Sequence, residues 1–216
     1  MRSTLPALLA VVLGLSFAAG CKKKEPMAAD LTKAAEDAAG VPVEPDRPAG
    51  DAPKTMTGKD GAVTVTLPEG DGWECLDQQA PVPGSDKQVS LVKCRRADRD
   101  KEFFFLLAKV YGVPESEVKP AKELATQVFA ANYRELFQDH KIVKEGAVKM
   151  GELEGYEVVL EMTHPQMGQL KKIERVFTKG EDVFVLSGEG KPENVEKFAG
   201  AIESWFDQTR FKVLGP

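Results

Sequence analysis

The chain has 216 residues, 42% of them hydrophobic and 29% charged, with a formal net charge of −5. That acidic balance becomes −6 without residues 1–20, whose one charge is Arg2, and it argues against nucleic acid, whose binders carry a basic footprint. About 150 residues beyond position 60 suit one domain, and no internal repeat is visible.

Ser3 to Gly20 is uncharged, and its apolar centre runs from Leu5 to Phe17 behind Arg2. That length matches the roughly 7–15 residues of a secretory signal core better than the ~20 that an uncleaved spanning anchor needs. Pro6 and the small-residue end also suit cleavage better than a span. The run closes on Ala18-Ala19-Gly20-Cys21, which resembles the lipobox of bacterial lipoproteins and departs from it at Ala18, where Leu is usual. In that family the cysteine thiol is diacylated, the chain is cut just before it and the new amino terminus is acylated. The resemblance therefore implies a signal peptide over residues 1–20, lipidation at Cys21 and a membrane partner held through the anchor. Stable anchoring takes two membrane signals, and a multiply acylated cysteine exceeds that.

Lys22-Lys23-Lys24 follows. It reads as the solvated start of a linker or as an attraction to anionic headgroups, worth about 1 kcal/mol per residue at such a surface. In many Gram-negative bacteria Asp directly after the lipidated cysteine retains a lipoprotein in the inner membrane. Lys22 is not Asp, so the resemblance favours the outer membrane, facing the periplasm, with cell-surface display in some lineages.

Residues 21–60 read as a lipidated, disordered tether. They are rich in Ala, Pro, Asp and Lys, hold almost no large apolar residue, and carry Pro26, Pro42, Pro45, Pro48 and Pro53. Such a stretch cannot offset the entropy of ordering, although the Ala-rich patch from Ala28 to Ala39 favours transient helix. As a coil it reaches roughly 35 Å, which holds the domain off the bilayer.

The folded domain is expected over residues 61–216. Ala62 to Leu67 alternates and is β-branched, as a strand does, and Pro68 to Trp73 reads as a turn that delivers an aromatic. Val89 to Lys93 and Glu102 to Val110 are the next strands. Within the latter, Phe103 to Leu107 is apolar at consecutive positions, which marks a central strand or an interface. Ala121 to Phe137 follows Pro120 as a helix, with Leu124/Val128 and Phe129/Tyr133/Phe137 four apart. Lys141–Lys149 with Leu153–Met162, and Leu170–Thr178 with Glu181–Ser187, form hairpins turning at Gly151 and Gly180. Pro192 suits the first turn of a closing helix, whose apolar stripe is Val195, Phe198, Ala199, Ile202, Trp205 and Phe206.

Lipidation of Cys21 leaves one even pair, Cys75 and Cys94. Outside the cytoplasm such a pair usually oxidises, and closing that loop is worth about 3 kcal/mol in the chain-entropy model. Two buried free thiols are the alternative. A metal or redox pair is disfavoured, because a tetrahedral site wants three or four ligands, His140 and His164 are the two histidines, and there is no CxxC.

Strand meanders with one helix after the third strand and one at the end spell an α+β fold, an antiparallel sheet of about six to seven strands packed with two main helices. Val63–Leu67-Pro68, Gly72-Trp73, Gly155-Tyr156-Glu157-Val158, Phe184-Val185-Leu186-Ser187 and Ile202-Glu203-Ser204-Trp205-Phe206, in that order, resemble the PsbP-like fold, including small bacterial lipoproteins of the DcrB type. The resemblance spans nearly all of residues 61–213 and departs at the Cys75/Cys94 pair and at Trp205. It implies binding rather than catalysis, by a family whose members share no single ligand, and the reach of the tether suits a protein partner in the envelope.

Motifs for chemistry are scarce. His140 follows Gln138-Asp139 at the end of the first helix and His164 precedes Pro165 in a turn, neither with a ligand or nucleophile at motif spacing. Ser187-Gly188 lacks the GxSxG elbow, and neither a phosphate loop nor HExxH is present. Asp98/Asp100 and Glu181/Asp182 sit at expected turns as solvated charge. Trp73, Trp205 and Phe103–Phe105 read as core. No catalytic residue, cofactor or metal ligand is assigned. A non-enzymatic binding or stabilising module is expected, and a small-ligand carrier or enzyme with a site assembled by the fold is the alternative.

Overall fold

In the computed structural model the residues described are 54–212, apart from 82–87, 99–100, 114–115, 117, 130–132 and 134–136. The expected signal peptide, Cys21 and most of the expected tether lie outside them.

Two antiparallel sheets share one core. Strands β1 (Thr55–Thr57), β2 (Val63–Thr66) and β10 (Arg210–Phe211) form a small sheet in the order β1-β2-β10. The large sheet is built from β3 (Trp73–Pro81), β4 (Gln88–Arg96), β5 (Phe104–Gly112), β6 (Gln138–Met150), β7 (Leu153–His164), β8 (Gly168–Lys179) and β9 (Asp182–Gly190). Its order is β3-β4-β5-β9-β8-β7-β6, so β9 lies at the centre. That place explains why eight of its nine residues are buried: a strand covered on both faces loses its polar alternation. The expected α+β fold is present, with the seven-stranded sheet at the upper end of the expected strand count.

The helices take opposite faces. α1 (Ala121–Glu123) runs on as a π-helical turn over Leu124–Phe129 and packs on β7 and β8, burying Ala121, Leu124, Ala125 and Phe129. The expected uniform α-helix to Phe137 is therefore not what forms. Tyr133 is helical again, and its carbonyl accepts the Phe137 N–H at 2.9 Å. The closing helix is likewise two pieces, α2 (Pro192–Lys197) and α3 (Ala199–Gln208), divided at Phe198, whose φ of −101° and ψ of 20° leave the helical region.

α3 and the small sheet cover the other face. Ile202, Trp205 and Phe206 meet Val63 and Val65 over Leu106, Phe177, Phe184 and Leu186 in one buried cluster. The Trp205 indole N–H donates to the Leu107 carbonyl at 3.2 Å, so a large apolar body is buried with its polar handle satisfied. Gly188 is what lets α3 approach: a Cβ there would stand 2.8 Å from Ile202 Cγ1.

Three strands went unread in the sequence. β1 precedes the expected boundary at 61, pairing Thr55 with Thr66 through Thr57 with Thr64. Asp60 is no tether residue, because its Oδ1 accepts the Ala62 N–H at 2.9 Å and the Ser90 hydroxyl at 2.8 Å. β3 continues where a turn ending at Trp73 was expected. β10 is two residues long and exists because β2 offers it a free edge.

Candidate functional site

Cys75 and Cys94 face each other across β3 and β4 and are joined by a disulfide with S–S 2.05 Å. Cys94 is part of the buried core, so this bond staples an edge strand to its neighbour.

The two histidines have structural surroundings. His164 ends β7 and is 4% exposed. Its Nδ1 accepts the backbone N–H groups of Gln166 at 3.1 Å and Met167 at 3.2 Å, closing the β7–β8 turn. Burial pushes its pKa below 6.5, against an opposing pull from Glu189. His140 lies in β6 rather than at a helix end, within a bulge at which Asp139 takes a φ of 50°. Its ring stacks on Tyr133, 5.9 Å between centroids.

The aromatic and acidic residues divide. Trp205 and Phe104 are buried, whereas Trp73, Phe103 and Phe105 are half-buried. Trp73 packs edge-on against Phe104 and Phe198. Asp98 is solvated and pairs with Lys101 at 3.4 Å, and Asp100 lies outside the described residues. Glu181 is exposed, but Asp182 is buried as the first residue of β9, so the expectation of solvated charge fails there.

Two features have no counterpart in any sequence motif. The first is an open groove of about 560 Å³ between the β6–β7 hairpin tip, β8 and the α3–β10 end. Met150, Leu153, Phe206 and Phe211 line it as buried or half-buried apolar surface. Lys149, Lys179 and Arg210 stand exposed around it with Glu152 and Asp207, and Arg175 adds a fourth cation. Arg175 is itself held, pairing with Glu157 at 2.8 Å and stacking over the Phe206 ring at 4.4 Å.

The second is a polar cluster on the α1 face of the large sheet. Opposed residues in an antiparallel pair share a face, and the registers align Lys93 with Leu107, Leu107 with Ser187 and Ser187 with Glu174. One step along, Glu189 opposes Lys172, and one step the other way Lys109 opposes Val185. Lys172 and Glu174 are 4% and 2% exposed. Lys172 pairs with Glu174 at 2.8 Å and Glu189 at 3.6 Å, and its amine donates to the Tyr133 hydroxyl. That hydroxyl donates in turn to Glu174 Oε2 at 2.9 Å.

The electrostatics follow from burial and these neighbours. Burial would lower the Lys172 pKa, but Glu174, Tyr133 and Glu189 outweigh it and hold the amine protonated well above its usual range. Tyr133 is raised by burial and by Glu174. Lys109 goes the other way, lowered to about 8 by burial and by repulsion from Lys172. Lys93 is lowered by burial too, and its amine lies 4.3 Å over the Phe105 ring.

No protein-family model matches the sequence, and no curated protein matches it. Among solved structures, the chain is similar to the cyanobacterial PsbP protein of Synechocystis, CyanoP, at a TM-score of 0.54 and 12% identity, over 80% of this chain and 100% of that one. The architecture is thus the PsbP-like α+β fold. Two more distant likenesses are LpqN of Mycobacterium tuberculosis, described as involved in cell envelope biogenesis, and a Pseudomonas aeruginosa protein of unknown function. The first has a TM-score of 0.42 and 14% identity over 75% of this chain and 91% of that one. The second has 0.40 and 12% over 76% and 98%.

Proposed function

We propose that this protein is a cell-envelope lipoprotein, anchored through Cys21 in the outer membrane, whose PsbP-like domain is a non-enzymatic binding module for a protein partner. The observation that carries the binding role is the groove beside the β6–β7 hairpin. Its apolar floor is ringed by Lys149, Lys179, Arg210 and Arg175 against Glu152 and Asp207, so charge complementarity selects an acidic segment that also carries apolar side chains. The outer edge of β6 runs beside it, and an edge strand offers unpaired backbone groups to an extended peptide. His164 serves a turn, which favours binding over histidine chemistry. The anchor rests on the Ala18-Ala19-Gly20-Cys21 run and on the linker composition that follows it.

A photo-reactive residue at position Glu152, irradiated in intact membranes, tests the reading. One dominant protein adduct is expected, with its yield cut about tenfold or more by Lys179→Glu with Arg210→Glu, since reversing rim charges slows association. Equal adduct yield from that double variant, at wild-type thermal stability, overturns the groove as the docking surface.

A further inference from the structure

The polar cluster under α1 is unbalanced in a specific way. Lys172 has its carboxylates, Glu174 and Glu189, and is saturated by them and by Tyr133. Lys109 has none of this: among the described residues its amine makes no hydrogen bond or ion pair, and only Glu174 and Glu189 favour its charge from a distance. Lys93 is in the same position, balanced by the face of Phe105 and by Glu189 from afar. Both residues are half-buried, and burial is the first cause that lowers each amine's pKa. They are diagonal neighbours on adjacent strands, since Lys93 opposes Leu107 and Lys109 lies two residues on in β5. Side chains in that relation lie roughly 7–8 Å apart, within reach of one another's long arms.

Like charges at that spacing repel, and a fold has no stability reason to hold two partly buried ammonium groups together. Beneath them the polar groups are incomplete as well. Glu174 Oε1, Ser187 Oγ and Tyr111 Oη are buried and have no hydrogen-bond partner among the described residues. Buried polar atoms are bonded in about nine cases of ten, so three orphans on one sheet face are an unusual concentration. Ser187 sits between Leu107 and Glu174 in the register, on the strand that separates Lys109 from Lys172. The π-helical turn of α1 just before Tyr133 is a local irregularity of the kind frequent at functional sites.

We propose that Lys93 and Lys109, with Lys172 behind them, form a binding site for a small molecule bearing an oxyanion, a carboxylate or a phosphate. The oxyanion accepts from the Lys93 and Lys109 amines and relieves their repulsion. Phe105 provides an apolar wall on the Lys93 side. Lys172 with Glu174 and Glu189 contributes one net negative charge, so Lys93 and Lys109 bring the site to one net positive charge, which matches one singly charged oxyanion. This site lies on the opposite face of the sheet from α3 and is independent of the groove and its protein partner.

The test uses the full-length, detergent-solubilised protein, with sodium phosphate and sodium acetate as probes and sodium chloride at matched ionic strength as reference. Calorimetric titration and thermal melts at neutral pH are expected to show saturable binding of at least one probe. The melting temperature should climb with the logarithm of its concentration, as mass action requires. Lys109→Met should weaken that binding about tenfold or more, while Lys101→Met on the far surface leaves it unchanged. A second measurement does not depend on a variant. With lysines labelled by 13C-methylation, Lys109 should titrate near 8 in the free protein and move upward with the bound probe. Binding of phosphate alone assigns the site to phosphorylated ligands, and binding of acetate alone to carboxylates. Neither probe exceeding chloride, or a Lys109 titration indifferent to both, overturns the proposal.

Discussion

His164 shows how one buried side chain ties a local turn to pH. Its Nδ1 accepts two backbone N–H groups, which requires the neutral ring, and burial lowers its pKa from 6.5. Above 6.5 both folded and unfolded states are neutral at this residue, and its contribution is whole. Below 6.5 the unfolded chain takes up a proton that the folded chain resists, so stability falls with pH until the folded pKa is passed. Urea midpoints of wild type should therefore drop between pH 7.5 and pH 5.5, and His164→Gln should drop less. Parallel curves for the two proteins would remove His164 from the account. Nothing in the local sequence announced this role, because the acceptor geometry depends on where Gln166 and Met167 turn.

At the scale of elements, α3 is the part on which the core most depends. Trp205 is 1% exposed and its N–H is bonded, and truncating a buried large aromatic costs about 3–5 kcal/mol. Against the ~5–15 kcal/mol that a domain has, Trp205→Ala should unfold the protein or lower its urea midpoint severely, as circular dichroism would report. A variant within about 0.5 kcal/mol of wild type would mean that α3 is seated otherwise. The closing helical segment was legible because Val195 of α2 and Ile202 and Trp205 of α3 repeat at helical spacing. The break at Phe198 was not, since its conformation answers to packing against Trp73 and Phe104. β3 was missed for a different reason. Glu74, Asp77, Gln78 and Gln79 weaken its strand propensity, and it forms through pairing with β4 and the Cys75–Cys94 bond.

For the whole molecule the decisive expectation concerns the anchor. Cys21 stands at the end of the signal-like run, and multiple acyl chains exceed what lasting membrane attachment takes. Cys21→Ser should release the protein from the membrane fraction or leave the precursor uncut, as fractionation and a size shift would show. A Cys21→Ser protein that is still processed and membrane-bound would defeat the lipoprotein reading. The proposed groove and lysine sites lie on opposite faces of one sheet.

The chain's pattern alone determined the α+β class, the two hairpins, the closing helix and the pairing candidates Cys75 and Cys94, because alternation, helical spacing and turn glycines are local signals. Register decided the rest. Lys93, Lys109, Lys172, Glu174 and Glu189 share no motif or spacing that groups them in the sequence. A hint was present in Lys109, a lone charge inside an apolar strand, but its meaning needed β9 to bring β8 alongside β5. The groove likewise joins Met150, Phe206 and Phe211 from segments far apart in the chain. Sites of this kind are properties of tertiary contact: their residues share no spacing in the sequence, only a face in the fold.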